Sequence, residues 1–448
     1  MFRVRLNQRR KDTRVTASGR GCVVHRGANA TTLPPPRLVP RLTENPMIAA
    51  DPPGAAPPLR RIYLLLCGSL AAQALGQSAM FAVLPSIGRE VGLKEIQVGA
   101  IIAASSVVFF IASPLWGRAS DRFGRRPVFI TGQIGYTIGG SLFAASFYFA
   151  LEGLLTPLVA WFAMILARMT QATLMSASAP AAGAYIADIT SPTNRARGLA
   201  RIGAANNLGS IAGPAVGGML AAASLFAPFV LAVVSVAIAA MLSLRYLPAT
   251  PPRATKAATA KVALTDRRVL RWIVPGIAMF MGAAVVQQTL SFRIQDALSL
   301  TPPQAAAAFG STMMASALAG LLAQSVIVQR VSLPPIRWLL IGLPLIVLAL
   351  AMMALLDTFT AFVIANVMMG LGMGFAGAGF SAGASLAVTA DEQGAVAGIS
   401  ASCSAAGWIV GPLLGPGLYQ ISAPLPFLVS AALIAAVAAH AAYRVRSH

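Results

Sequence analysis

The stretch Gly117–Pro127, GRASDRFGRRP, sets four arginines and one aspartate between two apolar runs, 98–116 and 128–150, each long enough to cross a bilayer. Charge packed this densely beside greasy sequence belongs at the end of a membrane-spanning helix, where it can sit in water or among lipid headgroups. Composition outside this stretch agrees. Hydrophobic residues make up 57% of the chain and charged residues 10%, against about 25% charged in ordinary globular proteins. So few charges cannot coat a soluble surface of this size. Runs of roughly 20 apolar residues span the hydrocarbon core as helices, and twelve stand out: 62–86, 96–116, 128–150, 157–186, 199–223, 226–246, 270–294, 303–328, 337–356, 359–387, 394–420 and 425–443. Their length and the lack of strict alternation argue for helices over barrel strands.

The formal net charge of +21 comes from 34 Lys and Arg against 13 Asp and Glu. When alternate connections are assigned to one side, every base except Arg89, Lys94, Arg168 and Arg293 falls on that side. This distribution marks topology and not a nucleic-acid surface. By the positive-inside rule the basic face is cytoplasmic, and so are both chain ends. The expected setting is a bacterial-type inner (plasma) membrane, with the lipid bilayer and a small-molecule substrate as partners, no nucleic acid, no cofactor, and a monomeric chain. One connection breaks the pattern: that after the tenth run carries Asp391 and Glu392 and no base.

Four segments are expected: a basic, disordered cytoplasmic tail over 1–60, a first bundle over 61–247, a polar joint over 248–268 and a second bundle with a short tail over 269–448. Residues 1–46 hold ten Lys or Arg. They read equally as a tail or as an extension upstream of a true start at Met47, and less well as a transit peptide, since amphipathic periodicity is weak. Cys22, Cys67 and Cys403 are too scattered for a disulfide framework or a metal cluster. Sliding the chain by 198 residues lays Gly209, Gly213, Pro214 and Gly217 over Gly407, Gly411, Pro412 and Gly415. A six-plus-six parallel duplication follows, with a substrate route between the halves.

These motifs resemble the major facilitator superfamily, in particular its twelve-helix drug:proton antiporter branch. Gly117, Asp121, Arg122, Gly124, Arg125, Arg126 and Pro127 match the family's loop between helices 2 and 3, departing at Ala119 and Ser120. Arg168 and Gln171 match the arginine motif of helix 4, with Ala172 where a glycine is usual. Gly209, Gly213, Pro214, Gly217 and Gly218 resemble the helix 5 signature associated with antiporters. The resemblance covers about 62–444 and implies an all-α membrane protein of twelve helices in two pseudo-symmetric bundles. It also implies a secondary active transporter that exports small, partly apolar compounds by alternating access, coupled to protons. The competing reading is a proton-coupled symporter importing a sugar or other metabolite. For the loop, the resemblance implies a gating latch between the halves, with Asp188 as a further partner of Arg125; topology anchoring is the plainer alternative.

Arg168 lies about eleven residues into the fourth run, where a guanidinium costs at least ~2.5–3.5 kcal/mol to insert and must face a cavity or a partner. The resemblance suggests that it aids proton movement or binds an anionic or polar substrate group; capping carbonyls between helices is the alternative. The glycines of the fifth and eleventh runs permit close helix contact, and Pro214 favours a bend, which together suit a sealed interface between halves. Gln73, Gln77, Asn206, Asn207, Gln287, Gln288, Gln324 and Asn366 are the expected polar lining of a central cavity, because amides in hydrocarbon need partners. Met80, Phe81, Met279, Phe280, Met281, Met369 and Trp408 suit an adaptable apolar lining. All thirteen acids fall in tails, connections or span ends, which leaves a coupling proton only Asp121, Asp188 or Asp296, or an indirect role for Arg168. The spans lack a convergent catalytic set, a metal-ligand set, a filter loop and a nucleotide loop, so an enzyme, a channel and nucleotide-driven transport are not expected.

Overall fold

A computed structural model describes residues 59–249, 266–389 and 392–446. The expected tail and most of the 248–268 joint lie outside the described residues. The described chain folds into helices α1 (Leu59–Glu90), α2 (Glu95–Phe123), α3 (Arg125–Leu151), α4 (Pro157–Ile189), α5 (Pro192–Ala223), α6 (Ala227–Tyr246), α7 (Arg267–Leu298), α8 (Pro302–Arg330), α9 (Pro335–Leu355), α10 (Phe359–Leu386), α11 (Gln393–Ile421) and α12 (Leu425–Arg446).

Local chemistry explains the boundaries. Thr156 caps α4 by accepting from the Val159 N–H, with Pro157 in the first turn where its missing N–H costs nothing. At α8 the Gln304 side chain accepts from the Thr301 N–H, again ahead of a proline start. The step from α2 to α3 is a single residue, Gly124, at φ 93°, a conformation that side chains resist. Within α4 the helix breaks at Ser176–Ala177. Pro180 lacks the N–H that would have reached the Ser176 carbonyl.

Among the described residues, eleven helices are long and apolar enough to cross a membrane. The expected fifth span is the exception. It forms a 32-residue helix, ~48 Å long at 1.5 Å per residue, but Arg195, Arg197, Arg201, Asn206 and Asn207 make its first half polar. Stripes such as Leu158, Phe162 and Leu166, spaced by four, face outward at 58%, 58% and 68% exposure, a surface suited to lipid.

The packing repeats after six helices. α1 packs on α5 and α6, α3 on α4 and α6, and α2 on α4; likewise α7 packs on α11 and α12, α9 on α10 and α12, and α8 on α10. The broadest contacts between the halves are α5 with α8 and α2 with α11, and α1 adds smaller ones to α7 and α8. The two broad contacts are tight at the end opposite the arginine loop, here the far end. A Cβ on Gly99 would lie 1.9 Å from the Pro412 carbonyl oxygen, and one on Gly310 would lie 2.5 Å from the Pro214 carbonyl oxygen. Pro214 and Pro412 occupy the same place in the 198-residue repeat, so equivalent backbones seal both contacts. Toward the basic end the halves part: Val98, Ile101 and Ser105 of α2 are buried, whereas Phe110, Ile111 and Leu115 are exposed.

Candidate functional site

Between the halves, on the basic side of the seal, lies a cavity of about 660 Å³. α1 contributes Gln73, Gln77 and Phe81; α2 contributes Ser105, Ser106, Phe109, Phe110 and Ser113; α4 contributes Arg168; α5 contributes Asn206; α7 contributes Gln287; and α11 contributes Ser402 and Trp408. Phe81 and Trp408 come from opposite halves and stand nearly parallel, 6.4 Å between centroids and 20° between planes.

Arg168 is 1% exposed. Its Nη1 donates to the Gln171 side-chain carbonyl, and Gln171 Nε2 in turn donates to the Tyr136 carbonyl at 3.3 Å. The guanidinium lies over Phe81 at 5.2 Å and Phe143 at 5.9 Å, while its Nε has no acceptor. Close by, Gln133 Nε2 donates to Gln73 at 3.0 Å, and Gln73 Nε2 donates to the Met175 carbonyl, beside the break in α4.

Charged clusters sit at both ends. In the arginine loop, Arg125 is buried and donates through Nε to Asp188 at 2.9 Å, and through Nη1 to Ser120 at 2.8 Å and to Asp121. Arg126 donates to the Leu244 carbonyl at 2.6 Å. These pairings stay within the first half. Arg122 stacks over Phe123, and Gly117 has open space where a Cβ would be. In the second half Arg268 pairs with Asp266 at 2.8 Å and Glu392 at 3.0 Å. Hydrogen bonds from Arg268 hold both carboxyls below their ordinary range. Glu392, the anomaly of an acidic connection on the basic face, is thus matched by a base from another helix.

At the far end Arg89 of α1 donates to Asp296 of α7 at 2.6 and 3.0 Å, to Gln295 at 3.1 Å and to Glu95 at 2.8 Å. The Tyr419 hydroxyl of α11 donates to Asp296 at 2.6 Å. Ser86 and Ser291 meet across the same interface at 3.4 Å. This network ties the two halves together, and sequence reasoning missed it. The signal available was slight: Arg89 stood outside the basic face, and Asp296 closed an apolar run. Arg293, another base off that face, binds the carbonyls of Met353 and Ala354 and pairs with Asp357. It closes the end of α9 inside the second half.

Comparison with known proteins fits this arrangement. The sequence profile of the Major Facilitator Superfamily matches residues 66–356 and 276–448. The chain belongs to the major facilitator superfamily. It is 34% identical over 174 residues to the class C tetracycline resistance protein of Escherichia coli, a stretch that covers 38% of this chain and 41% of that relative. Multidrug resistance protein 1 of Bacillus subtilis (strain 168) is 27% identical, over 84% of this chain and 94% of that protein. Among solved structures, a bacterial homologue of the human lysosomal transporter Spinster, in an inward-facing and occupied conformation, aligns with a TM-score of 0.65 at 14% identity, covering 88% of this chain and 98% of that one. The human organic anion transporter MFSD10 aligns at 0.59 and 20% identity, covering 86% and 99%.

In this facilitator the expected lining divides. Gln73, Gln77, Asn206 and Gln287 reach the cavity. Asn207 and Gln324 are exposed elsewhere, and Gln288 and Asn366 are buried in helix packing, where Asn366 donates to the Phe362 carbonyl. Met80, Met279 and Met369 belong to the main core cluster, and Met281 is buried. The helix glycines also divide. Gly209, Gly213 and Gly217 press on α1 within their own half, as Gly407, Gly411 and Gly415 press on α7; only Gly218 and the Pro214 and Pro412 carbonyls meet the opposite half. The expected inter-half seal therefore rests on fewer of these residues than their pattern implied, because glycines spaced by four share one helix face.

Proposed function

We infer that this chain is an exporter of small, partly apolar compounds that works by alternating access, rocking a bundle of residues 61–247 against one of residues 269–448. The supporting observation is the cavity itself: it lies between the halves, contains Arg168, and is shut at the far end by glycine–proline contacts and the Arg89–Asp296 network. Release then requires that network to part while the basic end closes. The Asp121–Arg125–Asp188 cluster, held within the first half here, is positioned to meet the second half in that alternate state. The basic end is assigned to the cytoplasm, with both termini there and the protein monomeric in an inner membrane.

Protons are the coupling ion in this reading. Among the described residues the cavity wall carries no carboxylate, so the acids whose neighbours change as the halves rock, Asp296 at one end and Asp121 and Asp188 at the other, are assigned the coupling. Relatives named for tetracycline and multidrug resistance favour expulsion over uptake. The test is a panel of dyes and metabolites in everted vesicles carrying an imposed pH gradient. Gradient-driven accumulation of lipophilic dyes, abolished in Arg168→Ala at unchanged membrane insertion, is the expected result. Transport of a sugar-like solute in the opposite sense would overturn it.

A further inference from the structure

We propose that the substrate is an organic anion: a carboxylate or sulfonate head paired with Arg168 and a flat apolar body laid against Phe81 and Trp408. This rests on the transport reading above and narrows it to a substrate class.

The argument begins with charge balance. Arg168 is the one ionisable side chain among the described residues of the cavity wall. It is buried, and guanidinium keeps its charge under all ordinary conditions. Everything the structure places around it is neutral. The Gln171 amide takes one N–H, two aromatic faces take part of the charge, and Nε–H has no acceptor. Buried charges are normally paired with an opposite charge. Here the ion pairs lie at the two ends of the bundle: Asp121 and Asp188 are taken by Arg125, and Asp296 by Arg89. A cationic compound entering this cavity meets a like charge and no acid to offset it. An anion supplies the missing counterion and the missing acceptor together.

The remaining wall orients such a molecule. Phe81 covers the guanidinium and faces Trp408 across the gap between halves. A planar ring seated against this pair touches α1 and α11 at once, so that binding is felt by both halves. Gln77, Asn206 and Gln287 add amide donors to the same wall. The volume suits a drug-sized molecule. An inside-negative potential adds to the driving force for anion export, so the end acids assigned to proton coupling need no carboxylate beside them at mid-membrane.

The test uses the purified full chain with three probes of similar flat shape: 2-naphthalenesulfonate, its uncharged sulfonamide, and the cation ethidium. Equilibrium dialysis in detergent should show the sulfonate binding at least tenfold tighter than the sulfonamide. Arg168→Gln should bring sulfonate binding down to the level of the sulfonamide, and Arg168→Lys should restore part of the preference. The wild-type comparison needs no variant, so a poorly folding Arg168→Gln does not spoil the experiment. In proteoliposomes the sulfonate should move and should compete with itself in counterflow. Ethidium moving while the sulfonate neither binds nor moves leaves export standing and refutes the anion assignment. No movement of either charged probe, with no binding, overturns both.

Discussion

Replacing Asp296 by Asn removes the one acid through which Arg89 reaches across to the second half, and its effect can be sized from the geometry. Asp296 accepts two hydrogen bonds from Arg89, at 2.6 and 3.0 Å, and one from Tyr419 at 2.6 Å. The aspartate side chain is 44% exposed, so the pair is weaker than a buried bridge, whose rupture costs ~3–5 kcal/mol. Its bidentate geometry and the tyrosine place it above an isolated surface pair at ~0.2–1 kcal/mol. Arg89 also keeps Glu95 at 2.8 Å, so no charge is orphaned. About 1.5–2 kcal/mol of far-end closure is lost, equivalent to roughly a ten- to thirtyfold shift toward the open state. Ser291 reports it: the residue is 1% exposed, beneath this network. In a background free of native cysteines, Ser291→Cys should react with a membrane-impermeant maleimide about tenfold faster or more when Asp296→Asn is added. An unchanged rate would mean that the network does not hold the far end shut.

Other substitutions probe the remaining joints. Gly99→Ala places a methyl 1.9 Å from the Pro412 carbonyl, whereas Gly68→Ala meets nothing within 4 Å; the first should cut transport at least tenfold with normal membrane insertion, and the second should leave it unchanged. Arg125→Gln breaks pairings to Asp188 and to a half-exposed Asp121, at a cost of ~1–3 kcal/mol, and should abolish transport measured in vesicles more completely than Asp188→Asn. Arg293→Gln loses two carbonyl contacts and Asp357; about 1–3 kcal/mol of stability should disappear from thermal melts, with substrate affinity intact. Arg268 holds Asp266 and Glu392 below their ordinary values, so this clamp is fully present above the normal carboxylate range and is lost as pH falls through the folded values. Arg268→Ala should therefore flatten the acid limb of a stability–pH curve, and an unaltered limb would contradict the assignment.

Much of the fold can be read without coordinates. Hydrocarbon admits only backbone that satisfies its own hydrogen bonds, so a greasy run of the right length has one available structure. Basic connectors then orient the runs, and the loop at 117–127, with Gly124 at its single-residue turn, ties the chain to its family. That Arg168 falls well inside its helix and not at an end is equally legible, because distance along a helix is read directly from residue count. The polar fifth helix shows where hydropathy alone falls short, since its first half carries three arginines and two asparagines yet remains helical.

Rotation about each helix axis is another matter. Successive residues point about 100° apart, so Gln287 reaches the cavity while Gln288 is buried, and Asn206 lines it while Asn207 does not. Hydropathy does not separate such neighbours, and only packing against adjacent helices sets which one turns inward. The same holds for partners far apart in the chain, Arg89 with Asp296 and Arg268 with Glu392, which are matched by the way two bundles meet. Composition and run length thus establish a multi-span membrane protein with an arginine deep in one span, and the motif at 117–127 ties it to its family. The identity of the walls around that charge, and the end at which the halves close, come from helix register and inter-bundle contact, which depend on all twelve helices together.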